Sequence, residues 1–291
     1  MILPDSFWLY LKSKLPPMPH PFNTDKHGAQ KLYYSPWEYE YVEKSKGFKN
    51  FENYTGDLKK FMEGKRIAEL ACGGGGKTVF FVKNGSKKAH GVDLSEIFIE
   101  QANKFAEEKG VKEKCFFSVG DAKNTNYKDS DFDVVMLASV LEHVEDPEAL
   151  LREALRICKK GGAILFNTEG YYHWLGHHLW DALPIPWLHL FTSEKQRIRL
   201  YKKAVKNYPD AQERIDLRIG INSKGKENFD YLNHITLRKL DKILRTLELE
   251  NLFNKKMLTI RTFRKRPFNL FGRMPLLREI FHESLDGMIV K

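Results

Sequence analysis

The 291-residue chain predicts an α/β protein: a doubly wound, mostly parallel seven-stranded sheet with an N-terminal cap and an insertion after the fifth strand. Three observations carry that expectation. Short apolar runs alternate with amphipathic helical stretches from residue 60 to 168, and strict alternation implies right-handed crossovers between parallel strands. The first strong run, Arg66-Ile67-Ala68-Glu69-Leu70-Ala71, is followed by four consecutive glycines, Gly73 to Gly76, which mark a buried strand turning sharply at its carboxyl end. Acidic residues then stand at the ends of later strands, where open α/β sheets bind their ligands.

Residues 1–47 are aromatic and proline-rich with weak periodicity, and read as a cap. A helix is expected over 50–63, with Leu58, Phe61 and Met62 on one face. After the glycines, Lys77 to Val82 continue as a short helix, and Ala89 to Leu94 form a second strand. Ser95 caps a helix carrying Ile97, Ile99, Ala102 and Phe105, which ends at Gly110. Cys115 to Val119 and Phe132 to Ala138 read as the third and fourth strands. Pro147 opens a helix stopped by Gly161-Gly162, and Ala163 to Asn167 form the fifth strand. From 169 to 234 the alternation breaks into an aromatic, histidine-rich insertion with a basic helical stretch near 193–206. A helix from Thr236 and two late strands, Met257 to Ile260 and Gly287 to Val290 with a short helix after Pro275 between them, complete the core over 235–291. The expected parts are therefore 1–47 cap, 48–168 ligand-binding core, 169–234 substrate-side insertion or lid, and 235–291 the remainder of the core.

Charged residues make up 30% and apolar residues 42% of the chain, which fits a globular protein with a full core. The aromatic run Phe7 to Leu11 falls far short of the roughly 20 apolar residues of a membrane span, and no signal-peptide pattern precedes it, so a cytoplasmic location is expected. Cys72, Cys115 and Cys158 are unclustered, which argues against disulfides and a cysteine zinc site. The net charge of +10 is densest at Lys255, Lys256, Arg261, Arg264, Lys265 and Arg266, interleaved with Phe253, Phe263 and Phe268. That patch has two readings, a track for nucleic-acid phosphates and a solvated face in a lysine-rich protein.

Three ligands compete for the glycine loop. Ala71 to Thr78 is one residue from the phosphate-loop pattern, with Lys77 on phosphates. A dinucleotide fingerprint fails at its third glycine. The third reading takes Glu69 as the key acid, two residues before a small-x-Gly-x-Gly turn of Ala71, Gly73 and Gly75. The strand ends favour it. Asp93 closes the second strand where a carboxylate accepts both ribose hydroxyls, Asp121 follows the third strand within reach of an adenine amino group, and Asp133 lies at the wrong end of the fourth strand to hold magnesium for a phosphate-loop enzyme.

Glu69 to Gly75, Gly91 to Ser95, Gly120-Asp121-Ala122 and the stretch Phe132 to Val144 together resemble a class I S-adenosylmethionine-dependent methyltransferase, with the closest likeness to the type 11 branch. The resemblance covers roughly 60–168 and implies the Rossmann-like methyltransferase fold, S-adenosyl-L-methionine as cofactor, and a cofactor site of Glu69, Ala71, Gly73, Gly75, Asp93, Leu94, Asp121, Ala122, Ala138 and His143. Ala71 departs from the family's usual glycine, and Lys160-Gly161 from its usual proline-glycine.

Methyl transfer from a sulfonium is an in-line displacement in which alignment does most of the work. A hydroxyl acceptor still has to lose a proton, and His173, His177 and His178 in the insertion are the base candidates, against readings as pocket-lining histidines or, with Asp181, a metal site. No resident metal is expected. Tyr33, Tyr34, Trp37, Tyr171, Tyr172 and Trp187 are the candidate acceptor-binding aromatics. The insertion, with His189 in its Pro186 to Leu190 segment, is similar to those of methyltransferases from glycan and cell-surface gene neighbourhoods, which implies O-methylation of a small, sugar-like acceptor. Ribose methylation of RNA, a non-catalytic cofactor-binding module and a phosphate-loop nucleotide-binding protein are the alternatives.

Overall fold

The structure, a computed structural model, describes residues 3–16, 34–44, 48–229, 232–247, 258–262, 268–274 and 277–291. Tyr33, Met257, Pro275 and most of the basic stretch from Phe253 to Arg266 lie outside the described residues. The chain divides into two compact units. One comprises Tyr33–Thr168, Leu237–Arg261 and Leu285–Lys291; the other comprises Met1–Leu32, Glu169–Thr236 and Thr262–Ser284. The cap expected as one piece over 1–47 is therefore split, with helix α1 (Asp5–Lys14) grouped with the insertion and α2 (Tyr34–Lys44) with the sheet.

The helix expected over 50–63 is two short ones, α3 (Glu52–Thr55) and α4 (Leu58–Met62). Gly56 sits at φ +70° between them, and the Asp57 side chain accepts from Lys60 N to start the second. The alternating core follows: β1 (Arg66–Leu70), α5 (Gly76–Lys83), β2 (Lys88–Asp93), α6 (Glu96–Glu108), β3 (Cys115–Val119), β4 (Phe132–Ala138), α7 (Pro147–Ile157) and β5 (Cys158–Thr168). Ser95 Oγ accepts from Phe98 N at the start of α6, and Asp146 caps α7 ahead of Pro147. β5 begins earlier than expected, because α7 ends at Ile157 and Cys158 already pairs with Phe132; Gly161, at φ +77° within the strand's irregular start, donates its N–H to Lys291 O.

The seven-stranded sheet has the order β3-β2-β1-β4-β5-β9-β8, where β8 is Leu258–Thr262 and β9 is His282–Val290. The first five strands pair in parallel and β9 runs antiparallel to β5. Strand order reverses between β1 and β4, so the crevice of this doubly wound sheet lies at the carboxyl ends of those strands. β4 is buried along nearly its whole length, as expected of a parallel strand covered on both faces. Ile67, Val79, Phe80, Phe81, Phe105, Val134 and Met136 belong to one apolar core, and α2 reaches it through Val42.

The other unit has its own core. β6 (Gly220–Ile221) and β7 (Glu227–Asn228) form a small hairpin, beside the helices α8 (Leu188–Phe191), α9 (Glu194–Val205) and α10 (Ala211–Arg218). Trp8 of α1 packs with Leu183, Leu188, Ile198 and Tyr201. Asp5 fastens α1 to α9 through Lys203 and Arg199, and those hydrogen bonds, Lys203's first, hold its carboxyl down at about 2. At the centre Asp181 is buried between Arg214 and Arg218, at 3.0 and 3.1 Å, and accepts from Tyr201 Oη at 2.9 Å. Two further α-helices are α11 (Leu237–Thr246) and α12 (Phe268–Phe271). The short helix expected after Pro275 is corrected: α12 precedes Pro275, and residues 277–280 form a turn. Among the described residues no helix is long and apolar enough to cross a membrane.

Candidate functional site

β1 lies inside the sheet and delivers its carboxyl end to the crevice. There Ala71, Gly73 and Gly75 take φ of +57°, +55° and +70°. The family's usual glycine at the first of these is thereby explained, since an alanine pays a Cβ clash in the left-handed region. Asp93, at the end of β2, holds the loop: Oδ2 accepts from Gly73 N at 2.9 Å and Oδ1 from Ser95 N at 3.0 Å.

The other glycines serve packing within the chain. A methyl group on Gly75 would lie 2.6 Å from Ala102 Cβ and 2.7 Å from the Phe117 ring, so this glycine lets the loop meet α6 and β3. On Gly74 it would lie 2.8 Å from Ser35 N, and on Gly76 2.1 Å from Ser35 O. Helix α2 sits directly on the loop: Ser35 Oγ donates to Gly74 O at 2.5 Å, and Glu38 Oε2 accepts from Gly76 N at 3.0 Å. Gly74, Gly75 and Gly76 are buried, and only Ala71 and Gly73 remain half-exposed.

Beneath α2 lies a buried charge cluster that sequence reasoning missed. Lys77 Nζ is 2.6 Å from Glu38 Oε1 and 3.2 Å from Glu69 Oε1, and Thr78 Oγ1 donates to Glu69 Oε2. Glu38 and Glu69 are each 2% exposed. Burial drives the Glu38 carboxyl up from 4.5 to about 7, against the attraction of Lys77. Burial likewise raises Glu69, opposed by Lys77 and Thr78. For Lys77, burial disfavours the charge, but the two carboxylates outweigh it and hold the ammonium above its ordinary range. Lys77 is therefore neither a phosphate ligand nor an ordinary helix-start residue. Its only foretelling signal was a lysine in a glycine-rich buried turn, with its partner Glu38 far upstream.

At the neighbouring strand ends, Leu94 is 74% and Val119 54% exposed, and Ile97 is exposed at the start of α6. Asp121 is half-buried, accepting from Lys123 N at 2.9 Å, and Ala122 is buried beside it. Ala138 ends β4 buried, and His143 is exposed five positions on in sequence. Between them Ser139, exposed at φ +52°, is gripped by Asn167, whose Oδ1 accepts from Ser139 N and whose Nδ2 donates to Ser139 Oγ. Glu142 is buried and accepts from Thr168 Oγ1 at 2.7 Å. Tyr34 N donates to Gln101 Oε1 at 2.9 Å, and the Tyr34 ring stands 5.6 Å from Phe98 and 5.4 Å from Trp37. Ser35, Glu38, Ile97, Val119, Ser139 and Asn167 were not foreseen.

In the second unit His173, His177, His189 and His282 are buried. His177 Nδ1 accepts from Leu179 N at 3.0 Å and Nε2 donates to Ile185 O at 3.0 Å, which fixes a neutral imidazole with no free lone pair. Burial, then the His189 ring, brings its pKa down to about 3. His173 is buried and falls well below its ordinary value by burial, with His282, His189 and His177 adding to the effect. These two are poor general bases at neutral pH, where a base works best with a pKa near that of the medium. His178 is half-buried at φ +53°, and its carbonyl accepts from Arg218. Tyr171 stacks edgewise on His189, Tyr172 is exposed, and Trp187 Nε1 donates to Ile280 O at 3.4 Å. Among the described residues no His, Cys, Asp and Glu cluster is arranged to hold a metal ion.

Comparison with known proteins bears on the sheet unit. A family profile described as a methyltransferase domain matches residues 68–166. Norajmaline N-methyltransferase of Rauvolfia serpentina is 36% identical over 37% of this chain and 37% of its own. Ubiquinone biosynthesis O-methyltransferase of Methylococcus capsulatus is 31% identical over 37% of this chain and 44% of its own. Sterol 24-C-methyltransferase of Aspergillus fumigatus is 29% identical over 45% of this chain and 33% of its own. The chain thus spans less than half the length of these relatives. Among solved structures, S-adenosylmethionine-dependent methyltransferases from Methanosarcina mazei and Mesorhizobium loti align at 16% and 17% identity, with TM-scores of 0.44 and 0.41, over 78% of this chain and 92% and 91% of theirs. Residues 68–166 thus match a methyltransferase domain, and they lie within a sheet of the order β3-β2-β1-β4-β5-β9-β8.

Proposed function

We propose that the chain is an enzyme that transfers a methyl group from S-adenosylmethionine to a hydroxyl of a small, sugar-like acceptor. The observation that carries the reading is the carboxylate of Asp93. Each of its oxygens gives one lone pair to the loop backbone, at Gly73 and Ser95, and keeps another for a ribose hydroxyl.

The surrounding residues fit the cofactor. Glu69 is a buried acid that shares the single ammonium of Lys77 with Glu38, so the loop keeps a surplus negative charge suited to an ammonium group. Leu94, Ile97 and Val119 offer exposed apolar surface suited to a purine, with Asp121 to accept from its amino group. Ala71, Gly73 and Gly75 shape the turn, and Ala122, Ala138 and His143 border the neighbouring strand ends. When bound, the cofactor supplies a methyl group on a positively charged sulfur. The chain's own contribution is to orient, and holding two reactants in register is worth up to roughly 7 to 11 kcal/mol. With both ring nitrogens of His177 engaged, deprotonation of the acceptor does not rest on that residue.

A small acceptor is supported by the relatives, named for N-, O- and C-methylation. A hydroxylated one is supported by the tyrosines, tryptophans and histidines of residues 169–236, including Tyr171, Tyr172 and Trp187, types that stack and hydrogen-bond at once. Thermal melting is the first test: S-adenosylmethionine raises Tm and ATP with magnesium does not, and the reverse result overturns the reading. Methyl release is then compared between glycosides and bulk RNA. Release on RNA alone, suppressed by salt, rejects the small acceptor.

A further inference from the structure

The charge cluster under α2 is unbalanced. Glu38 and Glu69 place two buried carboxylates around one ammonium, and among the described residues no second cation meets either acid. Asp93, whose field reaches Glu69, adds a further negative charge at the same loop. A buried, uncompensated carboxylate is costly, and it gains most from a positive charge brought into the same low-dielectric surroundings.

We propose that Glu38 is a specificity-determining residue for the charge of the cofactor, favouring sulfonium-bearing S-adenosylmethionine over S-adenosylhomocysteine, the uncharged thioether product. This rests on the cofactor reading above. Glu38 comes to the loop on α2, outside the residues matched to the methyltransferase domain. Its carboxylate stands where a methyl group on Gly73 would meet Oε1 at 2.8 Å, on the half-exposed part of the loop. Glutamine at this position leaves Lys77 and Glu69 as a neutral pair and removes the surplus charge.

Among the described residues, the groups facing Glu38 are few. Lys77 approaches from α5 and Glu69 from β1. The Cys72 thiol is kept protonated by burial and by the neighbouring acids, Glu69 foremost. From α6, uncharged Gln101 bonds the start of α2, and Lys109 lies 4.7 Å from the Tyr39 ring centre. Glu38, displaced to about 7, is thus the acid of the cluster placed to change charge near neutrality.

Calorimetric titration of the wild-type protein and Glu38→Gln with each ligand at pH 8 and pH 6 tests the proposal. At pH 8 the wild-type preference for S-adenosylmethionine exceeds that of the variant by about tenfold, the scale of one unit charge acting through protein. The wild-type preference falls between pH 8 and pH 6, and the variant's stays flat. At pH 7, across buffers of different ionisation enthalpy, S-adenosylmethionine releases more protons than S-adenosylhomocysteine on binding the wild type, a measurement independent of the variant's folding. Equal preference in both proteins, or equal proton release, overturns this proposal while the methyltransferase reading stands. Binding of neither ligand by the folded wild type overturns both.

Discussion

Replacing Glu38 by glutamine also gives a stability prediction that needs no ligand. In the fold this carboxyl is displaced from 4.5 to about 7, with burial as the main cause. Between those values the folded protein holds a proton that the unfolded chain has lost. The contribution of the group is therefore fully present below pH 4.5 and disappears as pH rises through 7. Each pH unit of displacement is worth about 1.4 kcal/mol, so this group alone makes the wild type about 3 kcal/mol less stable above pH 7 than at low pH. Glutamine carries no such proton and keeps an acceptor for Gly76 N, while Lys77 retains Glu69 at 3.2 Å. Stability from denaturant titrations at half-unit intervals between pH 5 and pH 8 is the assay. The difference between variant and wild type should move in the variant's favour by about 2 to 3 kcal/mol across that range. Parallel curves would refute the reasoning, because Glu38 would then titrate alike in the folded and unfolded chains.

Gly76→Ala puts a methyl group 2.1 Å from Ser35 O, so α2 is displaced and stability falls by about 1 to 3 kcal/mol, read by denaturant unfolding together with faster amide exchange in residues 34–44. Ala71→Gly removes a Cβ held at φ +57° and is expected to be neutral or stabilising by up to about 1 kcal/mol; a Tm drop of several degrees counts against the backbone argument. Asp181→Asn leaves Arg214 and Arg218 buried without their shared carboxylate and is expected to cost about 3 to 5 kcal/mol, seen as rapid proteolysis within 169–236; resistance equal to wild type contradicts it.

Much of the sheet was legible because its signals are local. A parallel strand covered on both faces must be apolar throughout, which made Phe132 to Ala138 readable, and Ser95 and Pro147 announce helix starts through their own backbone preferences. Gly56 was equally local and was passed over, so one helix was expected where a left-handed residue divides two. The acid at the end of β2 was visible from spacing alone, since one helix and one strand set the distance from the glycine turn to Asp93. The covering of that turn was not visible. A glycine run states only that something approaches closely, and the same residues would admit a phosphate, a nucleoside or another part of the chain.

The sequence by itself determined the strand order class, the methyltransferase-like motifs and the position of the glycine turn, because each is written in residues near one another along the chain. The tertiary structure decided which partner each polar group received. Lys77 became a buried counter-ion because α2 brings Glu38 to within 2.6 Å of it, and His177 became an inert neutral ring because two backbone groups occupy its nitrogens. Charge state follows desolvation and neighbours in space, and neither is encoded in local spacing.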